Sequence, residues 1–67
     1  MRDWLKEKRK EAGATMDEMA CALNISTAYY SMIESGERQK KMDITLAQKL
    51  ATVFGMTLSD VVKLEEA

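Results

Sequence analysis

Thr15–Gly36 reads TMDEMACALNISTAYYSMIESG, and this stretch decides the architecture of the chain. Thr15 suits the N-cap of a helix, because its hydroxyl accepts a hydrogen bond from a first-turn amide that lacks a partner inside the helix. Glu18, three residues on, completes a capping box. Small Ala20 lies one turn in. Asn24, which tolerates the left-handed backbone, follows Leu23 where that helix should end. Ile25 and Ser26 then reopen a helix whose apolar Tyr30 and Ile33 face back toward the first, and Gly36 ends it. Two helices joined by so short a turn must cross steeply, and a small residue is needed where their backbones approach. The second helix of such a pair projects from the surface, where it can enter a DNA groove.

On either side of this pair the pattern remains helical. Five helices are read, with no strand pattern, no repeat and no linker, so the expected fold class is all-α. Pro is absent, and Gly13, Gly36 and Gly55 each stand just past an expected helix end. The first helix runs from about Arg2 to Ala12, with Leu5 and Ala12 on one face, Trp4 beside it and lysines opposite. The second spans about Met16 to Leu23, with Met19, Ala20 and Leu23 inward, and the third about Thr27 to Ser35. A charged connection, Glu37-Arg38-Gln39-Lys40-Lys41-Met42, leads to Asp43 as the N-cap of a fourth helix that ends near Phe54. Its inward stripe is Ala47, Leu50, Ala51 and Phe54. Thr57 caps the fifth helix, Asp60 suits the positive end of its dipole, and Met56 can staple onto Val61. Ile25 and Tyr30 bracket Ser26 in the same way. These stripes read as core, and none needs a ligand to explain it.

At 67 residues the chain is expected to form one domain, residues 1–67. A domain of this size buries only about 60% of the surface its unfolded chain exposes, so burial against a second copy would help it. A chain that is 46% apolar and 31% charged is an ordered globule rather than a disordered tail. One Cys and no His exclude a disulfide within the chain and argue against a metal site or a histidine-based catalytic pair. Cys21, among apolar neighbours, reads as a small buried hydrophobe. Ser, Thr and Tyr occur without His, and no carboxylate pair is isolated in an apolar setting, so neither an enzyme nor a cofactor is expected. No small-molecule ligand is evident. No apolar run approaches the roughly 18 residues of a membrane span, and no secretory signal is read, so the expected location is the cytoplasm.

The net charge of −1 is unusual for a chain expected to bind nucleic acid, because phosphate neutralisation supplies much of that affinity. The charge is unevenly placed. Residues 1–10 carry Arg2, Lys6, Lys8, Arg9 and Lys10, and residues 38–49 carry Arg38, Lys40, Lys41 and Lys49, whereas no Lys or Arg lies from Glu11 to Glu37. Such polarity permits a basic face on a nearly neutral molecule.

Taken together, Leu5 and Arg9, Thr15 with Met19-Ala20, Ser26, Ile33-Glu34-Ser35-Gly36, Leu50-Ala51-Thr52-Val53-Phe54-Gly55 and Thr57-Leu58-Ser59-Asp60 form a specific pattern. On these residues the chain resembles the lambda-repressor-like, Cro/repressor-type helix-turn-helix family of bacterial and phage regulators. The likeness runs from Trp4-Leu5 to Leu64. It implies a compact five-helix DNA-binding domain with the helix-turn-helix at helices two and three, acting on double-stranded DNA as a homodimeric, repressor-like transcriptional regulator.

The resemblance also implies roles for particular residues. Arg9 and Glu34 would form a partly buried ion pair tying the first helix to the end of the third; the bland alternative is two solvated charges. Base reading transfers to Thr27, Ala28, Tyr29 and Met32, with Ser35 near the far end. Relatives often place Gln, Arg or Lys here, so this face is unusually short, apolar and aromatic, and it can also be read as exposed filler. Phosphate contacts would come from the helix starts at Thr15, Met16 and Ser26 and from Arg38, Lys40 and Lys41, with Lys6 or Lys10 adding charge. Met16 stands where relatives commonly carry Gln, which weakens one phosphate clamp. Leu58, Val61, Val62 and Leu64 of the fifth helix would supply a dimer contact. A second reading keeps the fold and changes the role, to a protein-interaction module such as an antitoxin or co-regulator with little DNA binding of its own. The uncharged-to-acidic central segment favours that second reading, and the basic loop disfavours it.

Overall fold

The computed structural model describes residues 2–66 as five helices: α1 (Asp3–Glu11), α2 (Met16–Leu23), α3 (Thr27–Ser35), α4 (Ile44–Phe54) and α5 (Leu58–Glu66). No strand occurs among the described residues. Four helices begin at the caps the sequence offers. The Thr15 hydroxyl accepts from the Glu18 amide at 3.1 Å, and the Glu18 carboxylate accepts from the Thr15 amide at 2.9 Å. Ser26 accepts from the Tyr29 amide at 3.1 Å, and Asp43 accepts from the Leu46 amide at 2.9 Å. Thr57 and Asp60 repeat the reciprocal box. The Thr57 amide, followed by the Thr57 hydroxyl, holds the Asp60 carboxyl below its ordinary range.

The turn between α2 and α3 consists of Asn24, Ile25 and Ser26 alone. Asn24 adopts φ 59° and ψ 45°, the left-handed conformation in which Asn is among the best tolerated residues after Gly. This reverses the chain: the Ile25 amide reaches back to the Ala20 carbonyl at 3.0 Å and the Asn24 amide to Cys21 at 3.1 Å, pairing carbonyls that the end of α2 leaves free. Ala20 is 2% exposed, and α2 packs directly on α3.

Two apolar clusters share α4. Leu46 and Leu50 turn toward Leu5 of α1, Met19, Ala20 and Leu23 of α2, and Tyr30 and Ile33 of α3. Ala47 and Ala51, on the adjoining face, receive Val61 of α5. The two alanines are small enough to let α5 approach closely, and Trp4 and Met42 pack against both clusters and join them.

Two expectations about apolar faces are corrected. Cys21 is exposed, not buried. Its apolar neighbours are adjacent in sequence, and residues one apart on a helix do not share a face; the inward side of α2 is taken by Met19, Ala20 and Leu23. Ala12 is also exposed, because α1 ends at Glu11 and the chain turns away before that residue completes the stripe.

Tyr30 is fully buried, yet its hydroxyl has no partner in hydrogen-bond geometry although it lies beside Glu34 and Arg9. Burial first, and the Glu34 carboxylate second, raise its pKa well above the ordinary value of 10.0. Below pH 10 the ring is neutral in both folded and unfolded chains. Above that pH the unfolded chain ionises first, so the stability this tyrosine contributes is lost as pH rises. Tyr30→Phe keeps the packed ring and removes an unpaired polar atom. Urea unfolding should find the variant at least as stable as the parent at pH 7, with a smaller loss of stability above pH 10. A loss of more than about 1 kcal/mol at pH 7 would instead mean that the hydroxyl is bonded in solution.

Candidate nucleic-acid interface

One side of α3 is committed to the interior. Tyr30, Ile33 and Glu34 are buried, and Glu34 is a carboxylate only 2% exposed. Helical spacing then assigns Thr27, Ala28, Ser31, Met32 and Ser35 to the opposite side. Thr27, Ala28 and Ser35 are exposed, and Ser31 and Met32 are half-buried. Ser31 is an addition to the residues that the family likeness assigns to base reading. Its spacing from Thr27 and Ala28 is the sequence signal that points to it.

What makes that outward face possible is the ion pair beneath it. The Arg9 Nε donates to Glu34 Oε2 at 3.0 Å, Nη2 donates to Oε1 at 3.3 Å, and Nη1 donates to the Ala14 carbonyl at 3.0 Å. The side chains are 12% and 2% exposed. The hydrogen bond to Glu34 is the largest influence raising the Arg9 pKa, so the guanidinium stays charged. A bidentate pair of this kind sets orientation as well as distance, and here it fixes the end of α3 against α1.

The first turns of α2 and α3 are pinned together. Thr27 donates its hydroxyl proton to Asp17 Oδ1 at 2.7 Å. Thr15 and Glu18 spend one amide each in the capping box, which leaves the Met16 and Asp17 amides as first-turn donors without an acceptor in the helix. An anion at this end of α2 meets the helix dipole but also the carboxylates of Asp17 and Glu18, both exposed. The Met16 side chain packs against the core. Ser26 is exposed at the start of α3, where the Thr27 and Ala28 amides are the corresponding free donors.

Tyr29 is less available than its position on α3 suggested. It is half-buried against the core, and its hydroxyl accepts from Gln39 Nε2 at 2.7 Å. Gln39 in turn accepts the Asp43 amide at 3.0 Å, so this one side chain links α3 to the start of α4. Arg38, Lys40 and Lys41 lie on the same loop; all three are exposed, and none of them makes an ion pair among the described residues. On α1, Lys6 is half-buried and Lys10 is exposed.

On α5 the expected dimer set divides. Val61 is 0% exposed and packs on Ala47 and Ala51, so it belongs to the monomer's core and is withdrawn from any dimer contact. The reason is register: Val61 lies one turn beyond the Thr57 cap and faces the alanine side of α4. Leu58 is half-buried against the same cluster, Leu64 is half-buried, and Val62 is 43% exposed.

A helix-turn-helix family model matches residues 5–61, which takes in α2, the tight turn and α3. The chain belongs to the helix-turn-helix family. Within it, the architecture is of the Cro/repressor type, the likeness carried by the sequence. This helix-turn-helix protein is 44% identical over 55 residues to YqaF of Bacillus subtilis (strain 168), described as an uncharacterized HTH-type transcriptional regulator. That match covers 82% of this chain and 70% of the relative. No solved structure matches it. Among the described residues, no helix is long and apolar enough to cross a membrane, and no cluster of His, Cys, Asp or Glu is placed to hold a metal ion.

Proposed function

We propose that this helix-turn-helix protein is a repressor-like transcriptional regulator that binds double-stranded DNA as a homodimer in the cytoplasm, by contact and not catalysis. The observation that carries the reading is the division of α3 into one side locked by Tyr30, Ile33 and the Arg9–Glu34 pair and one side of small or apolar residues left uncovered. A helix held that rigidly and turned outward is suited to a major groove. The name of its Bacillus relative agrees with this reading. Phosphates would be held by first-turn amides of α2 and α3 and by Arg38, Lys40 and Lys41. Val62, with the exposed parts of Leu58 and Leu64, is the reduced set left for a dimer contact. One domain, residues 1–67, would carry all of this.

None of Thr27, Ala28, Ser31 or Met32 can make the bidentate contact to guanine that Arg or Lys provides. Apolar contact with thymine methyls, single hydroxyl bonds and DNA shape remain. Selection of bound duplexes from random DNA should therefore return A·T-rich half-sites about one helical turn apart, with mismatches costing roughly 1 kcal/mol per base pair. Met32→Ala should flatten the preference at one position of each half-site. A G·C-dominated consensus that survives Met32→Ala would remove α3 from the role of reader. No enrichment of any sequence would favour the protein-interaction reading, to which the exposed carboxylates of Asp17, bonded to Thr27, and Glu18, in the first turn of α2, give some physical support.

A further inference from the structure

Arg2 is charged and only 7% exposed, and no cap, stripe or motif in the sequence accounts for its burial. Its guanidinium is surrounded by acceptors from three separate parts of the chain. Nη1 donates to the Ile33 carbonyl at 2.6 Å and to the Arg38 carbonyl at 3.2 Å. Nη2 donates to the Gln39 carbonyl. Nε donates to Glu65 Oε1 at 2.7 Å, and the same oxygen accepts from the Trp4 indole at 2.8 Å. The Arg2 amide donates to the Glu34 carbonyl at 2.9 Å.

A buried guanidinium is tolerated only when its donors are paired, and its rigid fork serves several acceptors at once in a way an ammonium group cannot. The acceptors themselves are informative. Ile33 supplies a carbonyl from the last turn of α3, where helical partners run out. Arg38 and Gln39 belong to the loop that follows, and Gln39 stands at φ 56°, a left-handed value that a residue without a special preference for it adopts only when its surroundings impose it. The guanidinium is the group that grips both sides of that conformation. It therefore dictates the path the chain takes from α3 to α4, along which Arg38, Lys40 and Lys41 are strung and from which Gln39 reaches Tyr29.

We propose that Arg2, with Glu65 as its counter-charge, is a positioning residue for DNA binding: it holds the Gly36–Met42 loop in the shape that presents its cations to the phosphate backbone. This rests on the phosphate-binding role proposed for that loop. The variants are Arg2→Gln, Arg2→Lys and, as reference, the triple Arg38→Ala/Lys40→Ala/Lys41→Ala, all in the full chain. Two quantities are measured at a temperature where each variant is folded. One is affinity for a random-sequence duplex as a function of salt. The other, without DNA, is amide hydrogen exchange at Arg38, whose N–H is bonded to the Met32 carbonyl, relative to exchange at buried Leu50.

Both Arg2 variants should bind roughly tenfold more weakly, about what losing one or two phosphate contacts would do, with Arg38 exchange accelerated relative to Leu50. Arg2→Lys keeps the charge, so its failure to rescue separates positioning from a direct phosphate contact. If Arg2→Lys binds as the parent does, or the exchange ratio does not move, the proposal is overturned. Should the Arg2 variants not fold, Glu65→Ala loosens the grip from α5 and must move both readouts in the same direction; no movement overturns the proposal equally. If the triple variant retains its affinity and salt dependence, the phosphate reading of the loop is what fails, and the exchange ratio by itself still decides whether Arg2 holds the loop.

Discussion

Replacing Arg9 with Ala should destabilise the domain by about 3 kcal/mol, most of what a chain of this size has. The variant strands a carboxylate that is 2% exposed and removes three hydrogen bonds at once, two to Glu34 and one to the Ala14 carbonyl. The penalty is that of an unpaired buried charge rather than the net worth of the pair, so Glu34→Gln in the Arg9→Ala background should recover part of it. Denaturant unfolding of the parent, the two single variants and the double variant gives the coupling energy directly. Because Glu34 is buried and Arg9 is only 12% exposed, that coupling should change little between low and moderate salt. A coupling near zero would falsify the view that this pair anchors α3 to α1.

The loop cations should dominate the salt dependence of DNA binding. If Arg38, Lys40 and Lys41 each neutralise a phosphate, the triple alanine variant should lower the slope of log affinity against log salt by about 2.7, near 0.9 for each contact. The loss should be nearly equal on the selected site and on unrelated duplex, because phosphates carry no sequence information. Each single replacement should remove about one third of the change. The three residues form no ion pair among the described residues, so stability should scarcely move and the effect can be read as binding alone. An unchanged slope on both duplexes would leave the loop as a solvated connection.

The sequence was most informative where local chemistry acts on neighbouring residues. Thr15 with Glu18, Ser26, Asp43, and Thr57 with Asp60 cap their helices through bonds that span three residues, and such bonds depend on little beyond the local chain. Asn24, Gly36 and Gly55 end helices in left-handed conformations for the same local reason. Helical spacing likewise identified Met19, Ala20, Leu23, Tyr30, Ile33 and Leu50 as core. The family likeness added the Arg9–Glu34 pairing, which joins residues too far apart in sequence for spacing to suggest.

Where several elements compete for one residue, only the tertiary structure decided. Val61 and Val62 are the same residue type on one helix, yet α4's alanines take the first into the core and leave the second 43% exposed. Tyr29 lies on the helix assigned to reading, but Gln39 arrives from the following loop to engage its hydroxyl. Cys21 sits among apolar residues and faces outward because α2 has room for only one inward stripe. Arg2 is the clearest case. In the sequence it is one of five basic residues in the first ten, and no local pattern marks it for burial. Its burial depends on carbonyls of Ile33, Arg38 and Gln39 and a carboxylate at Glu65, groups that meet only when α3, its loop and α5 are already in place. Caps and stripes are encoded by neighbours a few residues away, so the sequence alone determines the five helices and most of their inward residues, Ala12 and Cys21 excepted. Partners for a buried charge or a shared hydroxyl come from across the fold, so those are decided only when the chain has closed.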